Sequence, residues 1–271
     1  MSRGSRLALI VLAVVLLLAP AAALHPVVMH LYAAGLSNLS IELVHPMVSG
    51  FLVITVLSLL PAAGFALAMF RAMRGVAHLR ALTQHSERVQ LGEFPYRVFP
   101  ADDVVVFTAG LLRPITFLST GAERKLGPAG LRAALLHEQA HQHRQDVVWR
   151  LLLKAVGRGF AFVPWIADVV EAETLRTECE ADDYAIRGGA RRLDLFDAIV
   201  AASAPVGSPA GVGLTDSNLE LRLLRLVHPE TPLPGRAAKS FAVLAAAVAL
   251  PAVAVHVIAI AAATGTSHLL M

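Results

Sequence analysis

The chain has a single cysteine, Cys179, so no disulfide can close within it and a reducing compartment suits it. It lacks an internal repeat, and it lacks any low-complexity tract beyond an Ala-rich stretch near its C-terminus, which excludes solenoid and array architectures. No nucleic-acid motif is present. The formal charge of +3 and pI near 9.4 come largely from residues beside apolar runs, a placement that suits anionic lipid headgroups rather than a nucleic-acid backbone. Neither the link 24–46 nor the tail 264–271 contains a Lys or Arg.

What the chain has in excess is apolar surface. With 56% hydrophobic residues and a mean hydropathy of +0.64, it is too apolar for an ordinary soluble protein. Three uncharged runs, 7–24, 47–70 and 241–263, each have about the length a bilayer core requires. The first also fits a cleavable signal peptide, since Arg3 and Arg6 precede it and Ala19-Pro20-Ala21-Ala22-Ala23 ends it. Arg3, Arg6, Arg71, Arg74, Arg80, Arg236 and Lys239 all flank the side opposite the two segments without basic residues. Positive charge stays in the cytoplasm, so this asymmetry places the N-terminus inside, the C-terminus outside, and everything from Arg71 to Ser240 in the cytoplasm. The expected organisation is therefore two transmembrane helices joined by a short external loop (1–70), a cytoplasmic domain (71–235) and a C-terminal transmembrane helix (236–271). Residues 147–165 are apolar enough for a fourth span. Arg150, Lys154 and Arg158, at i, i+4 and i+8, instead make them an interfacial helix with its charges outward.

The chemistry is concentrated in His137-Glu138-Gln139-Ala140-His141. Positions i and i+4 of a helix share a face, so two imidazoles can grip one ion with Glu138 beside them, the H-E-x-x-H zinc hydrolase arrangement. From the chain's His and Glu content, about 0.02 such patterns are expected by chance, so the pattern carries information. Gly127-Pro128 offers a helix start, and Leu131, Ala134, Leu135 and Leu136 supply a buried face. The competing reading, a core helix with a satisfied histidine pair, leaves the cost of burying three polar groups uncompensated.

A third protein ligand is needed, with the fourth position left to water. The best region is Glu178-Cys179-Glu180-Ala181-Asp182, on a helix expected from Ile166 to Arg187 and stopped by Gly188-Gly189. Glu171, Leu175, Glu178 and Asp182 share one face, so Glu178 can reach the ion while Asp182 takes the N–H of a ligating imidazole. Glu180 points elsewhere, into solvent. Cys179 lies about 100° round the helix from Glu178, which argues against a sulfur ligand. His25, His30, Glu42 and His45 form no i, i+4 pair and read as solvated residues of the external loop.

H-E-x-x-H, an aspartate five residues after its second histidine (Asp146) and the downstream E-x-x-A-D (Glu178 to Asp182) together resemble the membrane-embedded gluzincins. These are the BlaR/MecR antirepressor peptidases and their relatives HtpX and the CAAX prenyl protease, and the resemblance covers roughly 102–225. It implies a mainly α membrane protein carrying a cytoplasmic α+β zincin-like domain with a small sheet, whose edge strand takes substrate as an added strand. It implies Zn2+ held by His137, His141 and Glu178, Glu138 as catalytic base, and an arginine near the site at Arg222. Asp182 and Asp146 support the ligands, the latter fixing the end of the helix or pairing with a nearby arginine. Tyr184, His143 and Arg222 are candidates for a second oxyanion donor.

The activity so implied is that of an integral-membrane zinc endopeptidase cleaving a protein or peptide substrate at the cytoplasmic face, a DNA-binding transcriptional repressor being the implied target. The chain itself is not expected to touch DNA. It ends eight residues after the third apolar run, so the large external penicillin-binding sensor of the BlaR/MecR proteins is not expected here. An HtpX-like quality-control protease is the alternative within enzymes. A non-catalytic zinc-binding membrane sensor is the alternative outside them, and Glu138 argues against it.

Around these motifs the expected elements are a helix running from the membrane through Arg88, irregular chain at Gly92, Pro95 and Pro100, and short strands at 104–107 and 115–118. A helix from Arg191 to Ala202 should bury Leu193, Phe196, Ile199 and Val200. Residues 205–217 read as a lid or as slack chain, and residues 218–227 as a short helix leading to the final linker.

Overall fold

A computed structural model describes residues 3–34, 46–203, 216–235 and 238–267. Among them the chain forms helices α1 (Arg3–Ala34) and α2 (Pro46–Gln84) and strands β1 (Glu87–Leu91), β2 (Phe94–Phe99), β3 (Val106–Ala109) and β4 (Ile115–Ser119). Six further helices follow: α3 (Thr120–His143), α4 (Asp146–Gly159), α5 (Ile166–Arg187), α6 (Arg192–Ser203), α7 (Asp216–Val227) and α8 (Ala238–Ser267). The fold is mainly helical with one small mixed sheet. The described residues divide into two units. One is drawn from Arg71–Leu151 and Glu171–Gly235, the other from Ser2–Phe70, Leu152–Val170 and Arg236–Met271.

In the second unit, Leu9, Leu12 and Leu16 recur at helical spacing and are buried on α1, which packs along α8, where Phe241, Leu244 and Ala245 are buried. Two glycines allow backbone contact between α2 and α4. A Cβ on Gly64 would lie 2.8 Å from the Arg158 carbonyl oxygen, and one on Gly159 would lie 2.7 Å from that of Pro61. Among the described residues one helix segment is long and apolar enough to cross a membrane, Arg3–Ala22, with Ala238–Leu250 a shorter apolar stretch. The other two expected spans are helical, within α2 and α8. The expected external loop starts later than its sequence suggested, because α1 continues through His25 and His30 to Ala34. Glu42, His45 and most of 205–217 lie outside the described residues. α4 has 14 residues, too few to span a bilayer, and its Lys154 and Arg158 are exposed as expected.

The first unit is built on the sheet, whose order is β1-β2-β4-β3. Its first hairpin was not expected: α2 stops at Gln84, and Gly92, with φ 59°, supplies the left-handed turn that brings Leu91 opposite Phe94. Gly92 and Pro95 therefore sit in a hairpin rather than in irregular chain. Arg97 anchors the junction by donating from Nη1 to the Thr83 and Ser86 carbonyls, both at 2.8 Å. β2 and β4 run parallel, β3 runs antiparallel to β4, and Phe107 stacks on the buried Phe117 at 5.4 Å. β3 is a sheet edge.

Behind the sheet lies a core of Tyr96, Val104 and Leu118 against Leu131, Leu135 and Leu136 of α3, Leu195 and Ile199 of α6, and Leu226 of α7. α6 buries Leu195, Ala198 and Ile199, not the expected Leu193 and Val200, which are 72% and 44% exposed. Of the expected face, Ile199 is buried and Phe196 packs against the core. α3 begins at Thr120, capped by Ser119 Oγ accepting from the Ala122 N–H at 3.0 Å. Gly127, at φ 62° and ψ 173°, interrupts it, and Pro128 restarts it, so the expected start is that of the segment carrying the histidines.

Gly121 presses this helix start onto the backbone of 101–103: its N–H donates to the Ala101 carbonyl at 2.7 Å, and a Cβ there would lie 2.2 Å from the Asp102 carbonyl oxygen. Gly75, inside α2, has nothing within 4 Å of such a Cβ. In thermal unfolding of the detergent-solubilised chain, Gly121→Ala is expected to cost about 1–3 kcal/mol, whereas Gly75→Ala gains about 0.5–1 kcal/mol. Equal effects from the two would contradict this packing.

Candidate metal centre

The segment of α3 restarted at Pro128 carries His137, Glu138 and His141, all buried. One turn of helix separates the imidazoles, whose Nε2 atoms lie 3.1 Å apart. α5 brings Glu178 to them, with Oε2 3.3 Å from His137 Nε2 and Oε1 3.7 Å from His141 Nε2. Each ring is held from behind by a carboxylate. Asp182 Oδ1 lies 2.8 Å from His137 Nδ1, and Asp146 Oδ2 lies 2.8 Å from His141 Nδ1.

The sequence accounts for both supports. Asp182 follows Glu178 by four residues and so lies on the same face of α5. Asp146 needs a sharper device, because α3 ends at His143 and the chain must double back beneath His141. Gln145 supplies it with a left-handed φ of 53°, a conformation costing a non-glycine residue about 1 kcal/mol. Arg144 then holds Asp146 through Nε at 3.1 Å and Nη2 at 2.8 Å, and ties it to α5 by donating to the Thr177 carbonyl.

These donors fit a tetrahedral zinc ion. With a carboxylate 2.8 Å behind each Nδ1, the two Nε2 atoms face the same space, where a cation between them is favourable. Ligands about 2.0–2.1 Å from a tetrahedral ion stand about 3.3 Å apart, and the three observed separations bracket that value. Burial pushes the His141 ring down to about 4 despite the Asp146 hydrogen bond, so it is neutral and able to ligate. Burial alone would raise the Asp182 carboxyl, but Arg222 and His137 outweigh it and hold it far below the usual carboxylate range. His137, Glu138 and His141 form the one cluster of potential ligands of this kind among the described residues.

Arg222, for which the sequence alone gave no firm role, is fully committed. It donates from Nε and Nη2 to both oxygens of Asp182, at 2.9 and 2.8 Å, and Nη1 lies 3.1 Å from Glu178 Oε2. Arg150 was missed. Instead of facing outward with Lys154 and Arg158, it turns inward to pair with Glu178 Oε1, its Nη2 also 3.3 Å from His141 Nε2. The available signal was its place four residues after Asp146, which puts both on one face of α4.

Glu180 is not simply solvated, since Arg176 Nε lies 3.0 Å from its Oε1. Tyr184 and His143 pair with each other at 3.0 Å and do not line the cavity at the site, leaving Arg222 and the unexpected Arg150 as its cationic donors. Cys179 is buried, burial together with Asp182 pushes its thiol up to about 11, and it is not among the residues lining the cavity.

A cavity of about 370 Å³ opens onto Glu138. Beside the polar groups it is walled by Val104–Phe107 ahead of and within β3 and by Leu195, Ala198 and Ile199 of α6. Thr108 Oγ1 donates to the Glu138 carbonyl at 3.3 Å, fastening the edge strand to the helix of the histidines.

No family model, curated protein or solved structure matches the chain.

Removing a carboxylate behind a ligating imidazole typically weakens metal binding 10–100-fold. Asp182→Asn and Asp146→Asn should each show a loss of about that size for zinc in a chelator-competition titration, while Glu180→Gln shifts affinity less than about threefold. A null result for both aspartates would contradict the proposed ligand support.

Proposed function

We propose that the chain is an integral-membrane zinc endopeptidase, with His137, His141 and Glu178 holding the ion and Glu138 as the catalytic base. The observation that carries this reading is the three-sided set of donors, at separations matching a tetrahedral site, with a fourth acidic group beside it in an open cavity. A zinc ion held there supplies Lewis acidity, polarising a peptide carbonyl and lowering the pKa of water.

Glu138 is buried on the cavity wall, and among the described residues its Oε2 has no hydrogen-bond partner. That oxygen takes the proton of the attacking water and returns it to the departing amine. The substrate backbone is received by β3, which among the described residues pairs with β4 alone and so offers its other edge beside Glu138, recognising an extended peptide without needing a particular side chain. The α6 wall takes an apolar side chain.

Among the described residues Arg3–Ala22 is the one helix segment long and apolar enough to cross a membrane, which supports membrane attachment; the distribution of Lys and Arg in the sequence supports a three-span arrangement with the site in the cytoplasm. The resemblance in H-E-x-x-H, Asp146 and E-x-x-A-D suits the whole gluzincin group; following its BlaR/MecR branch, a cytoplasmic transcriptional repressor is the proposed substrate, with general membrane-protein turnover as the alternative.

Glu138→Gln keeps the ligands and removes the base. In detergent, the purified variant should bind zinc with wild-type stoichiometry while cleavage of a co-expressed repressor falls by about 10²–10⁴-fold. Loss of zinc together with activity would make Glu138 a structural residue. A stable repressor beside accumulating damaged membrane proteins would move the substrate to the quality-control class.

A further inference from the structure

Two guanidinium groups meet the Glu178 carboxylate, and they are held differently. Arg222 reaches Oε2 while anchored by two hydrogen bonds to Asp182. Arg150 reaches Oε1, and its Nη2 also comes to 3.3 Å from His141 Nε2; both guanidinium groups line the cavity. Those two atoms, a Glu178 oxygen and His141 Nε2, belong to the proposed ligand set. Arg150 has no anchor like that of Arg222, and its Nε is buried without a hydrogen-bond partner.

We propose that Arg150 is a tethered counter-cation that competes with the metal for Glu178 and His141. The inference rests on the zinc-site reading above and adds to it a residue that sets the affinity of the site. An ion about 2 Å from Glu178 Oε1 and from His141 Nε2 would crowd a nitrogen already in contact with the first and close to the second. Both are cations, so an ion held there would have to displace the guanidinium from these two ligand atoms. Arg222 cannot yield in this way, because leaving would strip the buried Asp182 of two hydrogen bonds.

Deleting Arg150 has two opposed effects. It removes a hydrogen bond that positions Glu178, which weakens metal binding, and it removes a positive charge from the immediate neighbourhood of a dication, which strengthens it. In a partly buried site, repulsion between a dication and a charge one contact away exceeds the net value of one hydrogen bond, and Arg222 continues to position the carboxylate. The sum favours tighter binding.

The test uses the full chain in detergent with zinc alone as probe, titrated against a fluorescent chelator. Arg150→Gln and Arg150→Met, the second keeping an unbranched apolar stem should the first fold poorly, are each expected to bind zinc roughly tenfold or more tightly than wild type. Lys154→Gln, which removes one charge from the exposed side of α4, should stay within about twofold. In excess chelator, the Arg150 variants should unfold at a lower temperature than wild type, because Glu178 loses a counter-ion, and this deficit should close at saturating zinc. Equal or weaker zinc binding in both Arg150 variants overturns the inference and makes Arg150 a positioning residue for Glu178. Absence of zinc binding in every protein, wild type included, overturns the metal reading itself.

Discussion

The arrangement depends on one repeated interaction, a carboxylate seated on the Nδ1 of each imidazole. Asp182 does this for His137 and Asp146 for His141, both at 2.8 Å. The contact fixes each ring's orientation and its tautomer together, leaving both Nε2 atoms as acceptors aimed at one point. Acceptors 3.1 Å apart repel unless a cation lies near them, so the protein spends folding stability to make a place for positive charge. Without the two aspartates the same H-E-x-x-H helix would present freely rotating rings, with the proton as often on the wrong nitrogen.

That requirement spreads through the surrounding helices as a chain of charge compensation. Four carboxylates, Glu138, Asp146, Glu178 and Asp182, are gathered with three guanidinium groups, Arg144, Arg150 and Arg222. An isolated buried carboxylate would take up a proton, and a protonated Asp182 could not orient His137. Arg222 prevents this through a two-pronged contact that only a planar guanidinium makes well, and it does so from α7, some forty residues downstream. α7 is thereby bound to α5 by charge as well as by Leu226 in the core.

The legible parts of the sequence were those governed by spacing along one helix. His137 and His141 at i, i+4, and Glu178 and Asp182 at i, i+4, each define one face, and α5 begins and ends where its residues and the Gly188-Gly189 stop place it. What stayed hidden depended on contacts between elements. The β1–β2 hairpin turns on Gly92 and holds its register through pairing across strands, while its own short strands carry little periodic signal. On α6, Ile199 is buried and Phe196 packs on the core as their spacing suggests, while Leu193 and Val200 stay exposed, because an apolar stripe shows that a face is buried without showing which neighbour it meets. Arg150 was read as part of an outward basic stripe, a fair inference from its own helix. Its true direction is set by Glu178, which lies on another element and attracts it.

Whether such a site binds an ion merely to brace the fold, or to act on a substrate, turns on Glu138. A bracing site is closed, with every polar group spoken for, and gains nothing from a further acidic residue between its ligands. Glu138 is buried with one carboxylate oxygen lacking a hydrogen-bond partner among the described residues, at a cost on the order of 1–3 kcal/mol. Its main-chain carbonyl is meanwhile fixed to the edge strand through Thr108. A fixed backbone, a carboxylate oxygen without a partner among the described residues and an adjoining cavity are what the proposed proton transfer to and from a bound peptide would draw on, and a purely structural ion would need none of the three.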